Sequence, residues 1–420
     1  MYSSLRDRPA DAPSAAAVDG SGAPVDGVDS NVVALGVTSF FSDISSEMVN
    51  AVLPLYLMLT LGFTPLQFGL FDGAYQGMTG LLRIAGGLVA DRRRRYKEVA
   101  GLGYGVSAVC KLGLLASRGW GVTAAVLLAD RTGKGIRTAP RDALISLSSS
   151  KDRLAESFGV HRALDTAGAL LGPVVAFVLL GVAPGAYDAV FVTSFCAALI
   201  GLGVLFCFVQ NRSPAVAAGA AKPSWRDVAG LLAVPRFRRL VIAGGLLGLV
   251  TISDAFIYLV FQRRTGMSSR PFPLLFVGTA LAYLALAVPL GRLADRLGRA
   301  PVFVAGHVIL VGAYVILRMG GPGFLTVLLL LGLLGAYYAA TDGVLMALAS
   351  TALPPELRSS GLALLTTVTS LTRFAAALVF GLMWTWRGPA GAVVVFLVGV
   401  VVAVPVAARI LFFDRRAVTA

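Results

Sequence analysis

Apolar segments of about 20 residues or more recur along almost the whole chain, and they constrain its fold more than any other feature. Of the 420 residues, 57% are hydrophobic and only 14% are charged, whereas a soluble domain carries about 25% charged residues. Segments of this length cross a bilayer as helices, because lipid offers the backbone no hydrogen-bond partner. We therefore predict an all-α membrane protein with twelve transmembrane helices. The predicted spans are 33–60, 65–90, 97–117, 120–147, 158–182, 187–209, 239–262, 271–293, 300–318, 322–350, 357–383 and 389–412.

The net charge of +14 comes mainly from alternate loops. Basic residues concentrate at 92–97, 236–239, 296–299 and 409–416, and the opposite loops carry fewer. The positive-inside rule then places both termini in the cytoplasm of a multi-pass protein of the cell inner membrane. Because no basic patch lies outside such loops, we expect no nucleic-acid partner.

The chain shows no pattern typical of an enzyme or of an ATP-driven pump. It has no phosphate-binding Walker loop and no Ser-His-Asp context. The three cysteines lie inside predicted spans, without metal-ligand spacing. We therefore expect no catalysis, no cofactor and no metal.

The chain divides into two similar parts. Residues 211–238 form the only long polar stretch between spans and are predicted to be a cytoplasmic linker between six-helix bundles at 31–210 and 239–412. Residues 1–30 and 413–420 are predicted to be cytoplasmic tails, the first of them disordered. GGLVADRRRR in the first part is repeated as GRLADRLGR in the second, and FFSDISSE has a counterpart in TISDAF. Such repeats are typical of transporters that bind substrate between two halves.

The repeated loop sequence carries a family resemblance. It resembles the loop signature G-x-L-a-D-R-x-G-R-R of the major facilitator superfamily, closely in the second half and less so in the first, where Val89 and Arg94 depart from it. The resemblance implies two six-helix bundles that work by alternating access. It also implies a gating role for the motif, with the aspartate suited to capping a neighbouring helix. The gating residues are Gly87, Asp91, Arg92, Gly291, Asp295, Arg296, Gly298 and Arg299.

The fourth predicted span contains an unusual set of charges in ADRTGKGIRTAPRDAL. Arg131 and Gly135 resemble the superfamily's R-x-x-Q-G element, with Lys134 in place of Gln. Charged side chains at mid-membrane avoid lipid, so they are expected to face the bundle interior. In the alternative interpretation, the span starts later and its last charges reach the cytoplasmic interface.

The fifth predicted span resembles the antiporter signature of drug–proton exchangers. Gly159, Gly168, Gly172 and Pro173 fit G-x8-G-x3-G-P, but Ala176 and Phe177 replace the signature's closing glycines. The alternative is close helix packing through small residues, which any membrane helix can use.

Acidic residues within the spans are candidates for proton coupling. Asp43 and Glu47 are four residues apart and share one helix face. Burial favours the neutral form of a carboxyl group, as a proton carrier requires. Asp254 and Asp342 are further candidates, and Arg131 is expected to modulate the acidic pair. In the alternative, Asp43 or Glu47 forms a static salt bridge with Arg131 or Lys134.

These observations predict a secondary transporter for the proton-coupled efflux of a small organic compound. The alternative is a proton-driven importer of a metabolite such as a sugar, an organic acid or a peptide-like nutrient, because the cations of span four suit an anionic substrate. The expected partners are the lipid bilayer, protons and the small-molecule substrate, and the protein is expected to be a monomer. The expected cavity residues are Lys134, Arg137, Tyr258, Tyr337 and Tyr338.

Overall fold

The computed structural model describes residues 28–75, 95–149, 153–212, 230–353 and 357–412. The predictions for Gly87, Asp91 and Arg92, and for most of the linker and tails, lie outside these residues. The described residues are helical and contain no strand, which confirms the all-α fold class. We number the helices α1 Ser30–Leu55, α2 65–75 (its described part), α3 Tyr96–Ala116, α4 Trp120–Leu147, α5 Leu154–Val182, α6 Tyr187–Phe208, α7 Pro235–Leu249, α8 Asp254–Thr265, α9 Phe272–Leu297, α10 Arg299–Met319, α11 Phe324–Thr351 and α12 Arg358–Phe412.

The helices of the structure do not correspond one to one with the twelve predicted membrane crossings. Among the described residues, nine helical stretches are long and apolar enough to cross a membrane. The predicted count of twelve is not confirmed, because the second predicted span is described only in part and helix boundaries do not coincide with spans. The seventh span is broken into α7 and α8 at residues 250–253, and the last two spans run together as α12 around Gly388, whose φ is 73°.

Glycines allow the helices of the first group, α1 to α6, to pack closely. α1 lies against α5 and α6, and α3 lies against α4. Gly168 rests on the backbone of Phe40, and a side chain at Gly172 would meet the backbone nitrogen of Met48 at 2.7 Å. Two glycines of the antiporter-like signature therefore serve helix packing, whereas a side chain at Gly159 would meet nothing within 4 Å.

The second group, α7 to α12, meets the first group at the end of the bundle where α1 ends and α2 begins. There Gly69 of α2 lies against the backbone of Ala377 in α12, and Gly381 lies against Pro65. Beside this contact, the ring of Phe256 packs on Phe68 of the first group, with centroids 4.9 Å apart. The two groups are therefore packed together at the end away from Ser30.

Candidate functional site

A cavity of about 250 Å³ lies between the two helix groups, behind the packed end. Its walls combine charged, polar and aromatic side chains from α1, α2, α8, α9, α11 and α12, together with the break between α7 and α8. Such a mixture of an apolar surface with a few polar groups is typical of small-molecule sites. The lining side chains used below are Glu47, Asn50, Phe68, Phe71, Asp72, Tyr75, Ser253, Asp254, Phe276, Tyr338 and Arg373.

Glu47 is the acidic residue of α1 that reaches the cavity. One carboxylate oxygen accepts a hydrogen bond from Lys134 Nζ at 3.3 Å, and the other accepts from Asn50 Nδ2 at 3.0 Å. The side chains of Glu47 and Lys134 are each 28% exposed. Glu47 is therefore accessible from the cavity, whereas Lys134 is not among the lining residues that the structure describes.

Asn50 links Glu47 to Arg131. Its side-chain oxygen accepts hydrogen bonds from the Tyr75 hydroxyl and, at 3.3 Å, from the Arg131 guanidinium. The guanidinium also stacks on the Tyr75 ring, 3.7 Å from its centroid. Arg131 Nε is the one buried side-chain nitrogen or oxygen without a hydrogen-bond partner in the described part of the chain.

Asp130 holds two cations together in the bundle interior. Its carboxylate lies 2.8 Å from Lys111 Nζ and 3.0 Å from the Arg131 guanidinium, and it accepts a hydrogen bond from Ser107 at 2.5 Å. All three charged side chains are at most 4% exposed. The direct acidic partner of Arg131 is thus Asp130, and Arg131 approaches Glu47 only through Asn50.

Asp43 lies one turn from Glu47 but is deeper in the bundle. It faces Arg137 at 3.6 Å, with side-chain exposures of 11% and 3%. Arg137 also donates to Ser42 and stacks on Tyr104, 4.4 Å from the ring centroid. The structure therefore gives both acids of α1 basic partners on α4, Arg137 for Asp43 and Lys134 for Glu47, and buries Arg137 instead of placing it at an interface.

The break between α7 and α8 places an acidic residue of the second helix group, Asp254, at the cavity. The Tyr314 hydroxyl accepts a hydrogen bond from Ile252 N–H at 2.6 Å and donates to the Val250 carbonyl, which holds the unwound backbone in place. Ser253 then caps α8. Asp254, the next residue, accepts a hydrogen bond from the Tyr338 hydroxyl at 2.7 Å and lines the cavity.

Asp342, the other predicted acid of this group, pairs with Arg373 at 3.6 Å. Arg373 itself lines the cavity, so it lies between Asp342 and the space that a substrate would occupy.

The structure places the three tyrosines of the predicted aromatic wall in different surroundings. Tyr338 lines the cavity, but Tyr258 is fully buried, where its hydroxyl donates to Thr279 at 2.7 Å. Tyr337 is also buried and packs on His307, with ring centroids 5.3 Å apart. Tyr337 and Tyr338 are adjacent on a helix, so their side chains point about 100° apart and only one faces the cavity.

Among the polar residues of the cavity wall that sequence reasoning missed are Asn50, Asp72 and Tyr75. Asn50 follows Glu47 by three residues and therefore lies on the same helix face. This spacing could have predicted that Asn50 lines the cavity beside Glu47. Asp72 and Tyr75 lie on α2, whose rotation about its own axis the sequence did not specify.

Asp295 and Arg299 of the second loop motif contact each other. Asp295 does not cap α10; it accepts hydrogen bonds from Arg299, the first residue of α10, at 3.0 and 3.1 Å. Gly298 between the two helices has a φ of 99°, which a side chain would disfavour. The motif therefore forms a tight, charged turn between α9 and α10. Gly291 and Arg296 belong to the end of α9.

The helical bundle, with its charged and aromatic cavity between two helix groups, defines a multi-pass membrane transporter and not an enzyme. The sequence profile of the Major Facilitator Superfamily matches residues 35–277 and 255–420. The chain belongs to this superfamily.

Relatives and solved structures agree with this assignment. An uncharacterized MFS-type transporter of Methanocaldococcus jannaschii is 30% identical over 363 residues, which cover 84% of this chain and 88% of that protein. A crystal structure of the nucleoside transporter NupG, in a mutant form, superposes with a TM-score of 0.76 at 15% identity, covering 90% of this chain and 99% of that one. A POT family transporter in complex with 5-aminolevulinic acid gives a TM-score of 0.75 at 14% identity, covering 94% and 98%. At such low identity these two structures are similar in fold alone.

Proposed function

We propose that this protein exports a small amphipathic organic compound in exchange for protons, by alternating access. The observation that carries the proposal is the presence of carboxyl groups on both sides of the same cavity, among them Glu47 from the first helix group and Asp254 from the second. Ionisable groups that line a cavity between the halves of a transporter are typical of proton and substrate paths.

In this proposal the chain crosses the membrane twelve times, and the two helix groups are halves that rock against each other. The seventh crossing is α7 and α8 together, and the last two crossings are the parts of α12 before and after Gly388. Basic residues are in excess in the loops that lie on the same side of the membrane as the termini. This excess supports a cytoplasmic location for both termini. The packed end at Gly69 and Gly381 then faces outward, and the structure corresponds to the state that is closed to the outside.

Glu47 is the proposed site of exchange between proton and substrate. Its carboxylate is held by Lys134 and Asn50 and is partly exposed, so a proton can reach it from the cavity. A carboxyl group binds either a proton or a cationic group strongly, because protonation removes the negative charge that attracts the cation. Mutually exclusive binding at one carboxyl group couples export of the compound to proton entry.

Asp43 and Asp254 have supporting roles in the same proposal. Asp43 lies one turn away on α1 and is already paired with Arg137, so it is less available than Glu47 to take up a proton from the cavity. Asp254 is bound by the Tyr338 hydroxyl and lies on the opposite wall, where it is the second candidate for the exchanging group.

The walls of the cavity favour a basic and aromatic compound. Glu47, Asp72 and Asp254 outnumber the one guanidinium group among the lining residues, that of Arg373, and several aromatic rings complete the surface. Aromatic faces attract organic cations. The cations of α4, which suggested an anionic nutrient, are paired with acids: Arg131 with Asp130, Lys134 with Glu47, and Arg137 with Asp43. Import of an anionic metabolite is therefore not favoured.

The test is a flux assay with purified protein in proteoliposomes under imposed pH gradients of both directions. We expect basic aromatic compounds from a mixed panel to move against their gradient only when protons flow the opposite way, and a protonophore to abolish this movement. Uphill movement of anionic or neutral nutrients in the same direction as protons would refute the proposal in favour of import.

A further inference from the structure

A second cavity lies outside the substrate site, at the packed end of the second helix group. Its volume is about 160 Å³, and it is formed by the end of α8, the end of α10 and the turn after Gly388. This is smaller than the central cavity of about 250 Å³. A compact group therefore fits it better than an extended molecule.

Three guanidinium groups surround this cavity, those of Arg263, Arg264 and Arg318. Arg264 donates a hydrogen bond to the Leu317 carbonyl at 2.7 Å, which fixes one guanidinium at the rim. All three arginines are exposed, so they can reach a ligand from outside the bundle. Guanidinium groups bind phosphate oxygens with two parallel hydrogen bonds, which an ammonium group does not.

The charge of this end of the second group is unbalanced. The segments 262–271, 318–323 and 386–391 contain five arginines and no aspartate or glutamate. The positive-inside rule predicts few basic residues in these loops, so their presence here needs a separate reason. An anionic partner at this end supplies one.

The surroundings of the arginines are apolar. Val260, Leu317 and Val393 line the same cavity. Nearby, Trp386 is 72% exposed and Phe324 is 82% exposed. Exposed tryptophan beside arginine is typical of the boundary between headgroups and hydrocarbon. An anion bound here is thus placed at the membrane surface, with apolar side chains beneath it.

We infer that Arg263, Arg264 and Arg318 form a binding site for the phosphate headgroup of an anionic phospholipid, with its acyl chains along the apolar wall. The site joins α8, which carries Asp254 at its other end, to α10 and to the turn within α12. A lipid bound there ties together three segments of the second helix group. The inference does not depend on which compound the central cavity transports.

The test compares two double variants of the full-length protein. Arg263→Gln with Arg318→Gln removes two charges from the site and keeps Arg264 on its backbone acceptor. The matched control, Arg118→Gln with Arg387→Gln, removes two charges of exposed arginines at the same end that do not line the cavity. Binding of phosphatidylglycerol, phosphatidylcholine and inorganic phosphate to each purified protein is measured by native mass spectrometry and by lipid titration in detergent.

We expect phosphatidylglycerol to bind the unmodified protein and the control in preference to phosphatidylcholine. Each arginine that hydrogen-bonds the phosphate directly contributes enough to change binding about fivefold, so the site variant should bind roughly thirtyfold more weakly. Equal loss in the control variant would show general electrostatic attraction and overturn the site. Inorganic phosphate binding as tightly as the lipid would show a site for a soluble anion and overturn the lipid assignment.

Discussion

Replacing Asp130 with asparagine tests how strongly the charges inside the first helix group depend on each other. The carboxylate lies within 3.0 Å of both Lys111 and Arg131, and the three side chains are at most 4% exposed. Asparagine keeps the size of the side chain but leaves two buried cations without a counter-charge. Removal of one partner of a buried ion pair costs about 3–5 kcal/mol, so we expect a loss of this size in the free energy of unfolding.

The assay is unfolding by denaturing detergent in mixed micelles, followed by circular dichroism, with thermal stability as a second measure. The matched control is Asp142→Asn on the same helix, whose carboxylate is 45% exposed and lies 2.9 Å from Arg141. An exposed pair contributes about 0–1 kcal/mol. Adding Lys111→Met to the Asp130 variant removes one unpaired cation and should restore part of the stability. If Asp130→Asn destabilises the protein no more than Asp142→Asn, the buried triad does not have the energetic role assigned to it.

Three further outcomes follow from the packing and the topology. Gly172→Leu should prevent α5 from approaching α1, whose backbone lies where the new side chain would be, and should reduce folded protein in detergent extracts, whereas Gly159→Leu should not. Asp295→Asn removes an exposed ion pair with Arg299 and should change the free energy of unfolding by less than about 1 kcal/mol. It should also slow transport several-fold, and unchanged transport would show that the motif has no gating role. A cysteine at Thr64 should react with an impermeant reagent from outside and one at Lys222 only from inside, and the reverse pattern would overturn the orientation.

The helices were largely predictable from the sequence because apolar residues continue for the length of a membrane crossing between polar loops. The predicted span 120–147 coincides with α4, Trp120–Leu147, and other described helices begin or end within a few residues of their predictions. The break at residues 250–253 was not predictable, because Thr251 and Ile252 are tolerated in membrane helices. It depends on the Tyr314 hydroxyl, which lies more than sixty residues away and binds the freed backbone groups.

The identity of the buried charges was predictable, but their pairing was not. Asp43 and Glu47 rise one turn along α1, whereas their partners Arg137 and Lys134 follow in reverse order on α4, as expected for antiparallel helices. The sequence fixes this order but not the relative rotation and height of the two helices, which side-chain packing decides. Arg131 therefore lies on Asp130, and not on the acids that the sequence suggested.

Transport by the Glu47→Gln variant in proteoliposomes tests whether Glu47 exchanges a proton for substrate. The amide resembles the protonated acid, so we expect loss of uphill movement driven by a pH gradient, with the protein still inserted and folded. The control, Asp188→Asn, changes an exposed carboxyl group at the start of α6 and should transport normally. Undiminished uphill transport in the Glu47→Gln variant would contradict the account, and undiminished transport in the Asp43→Asn, Glu47→Gln double variant would move the coupling site to Asp254 or Asp342.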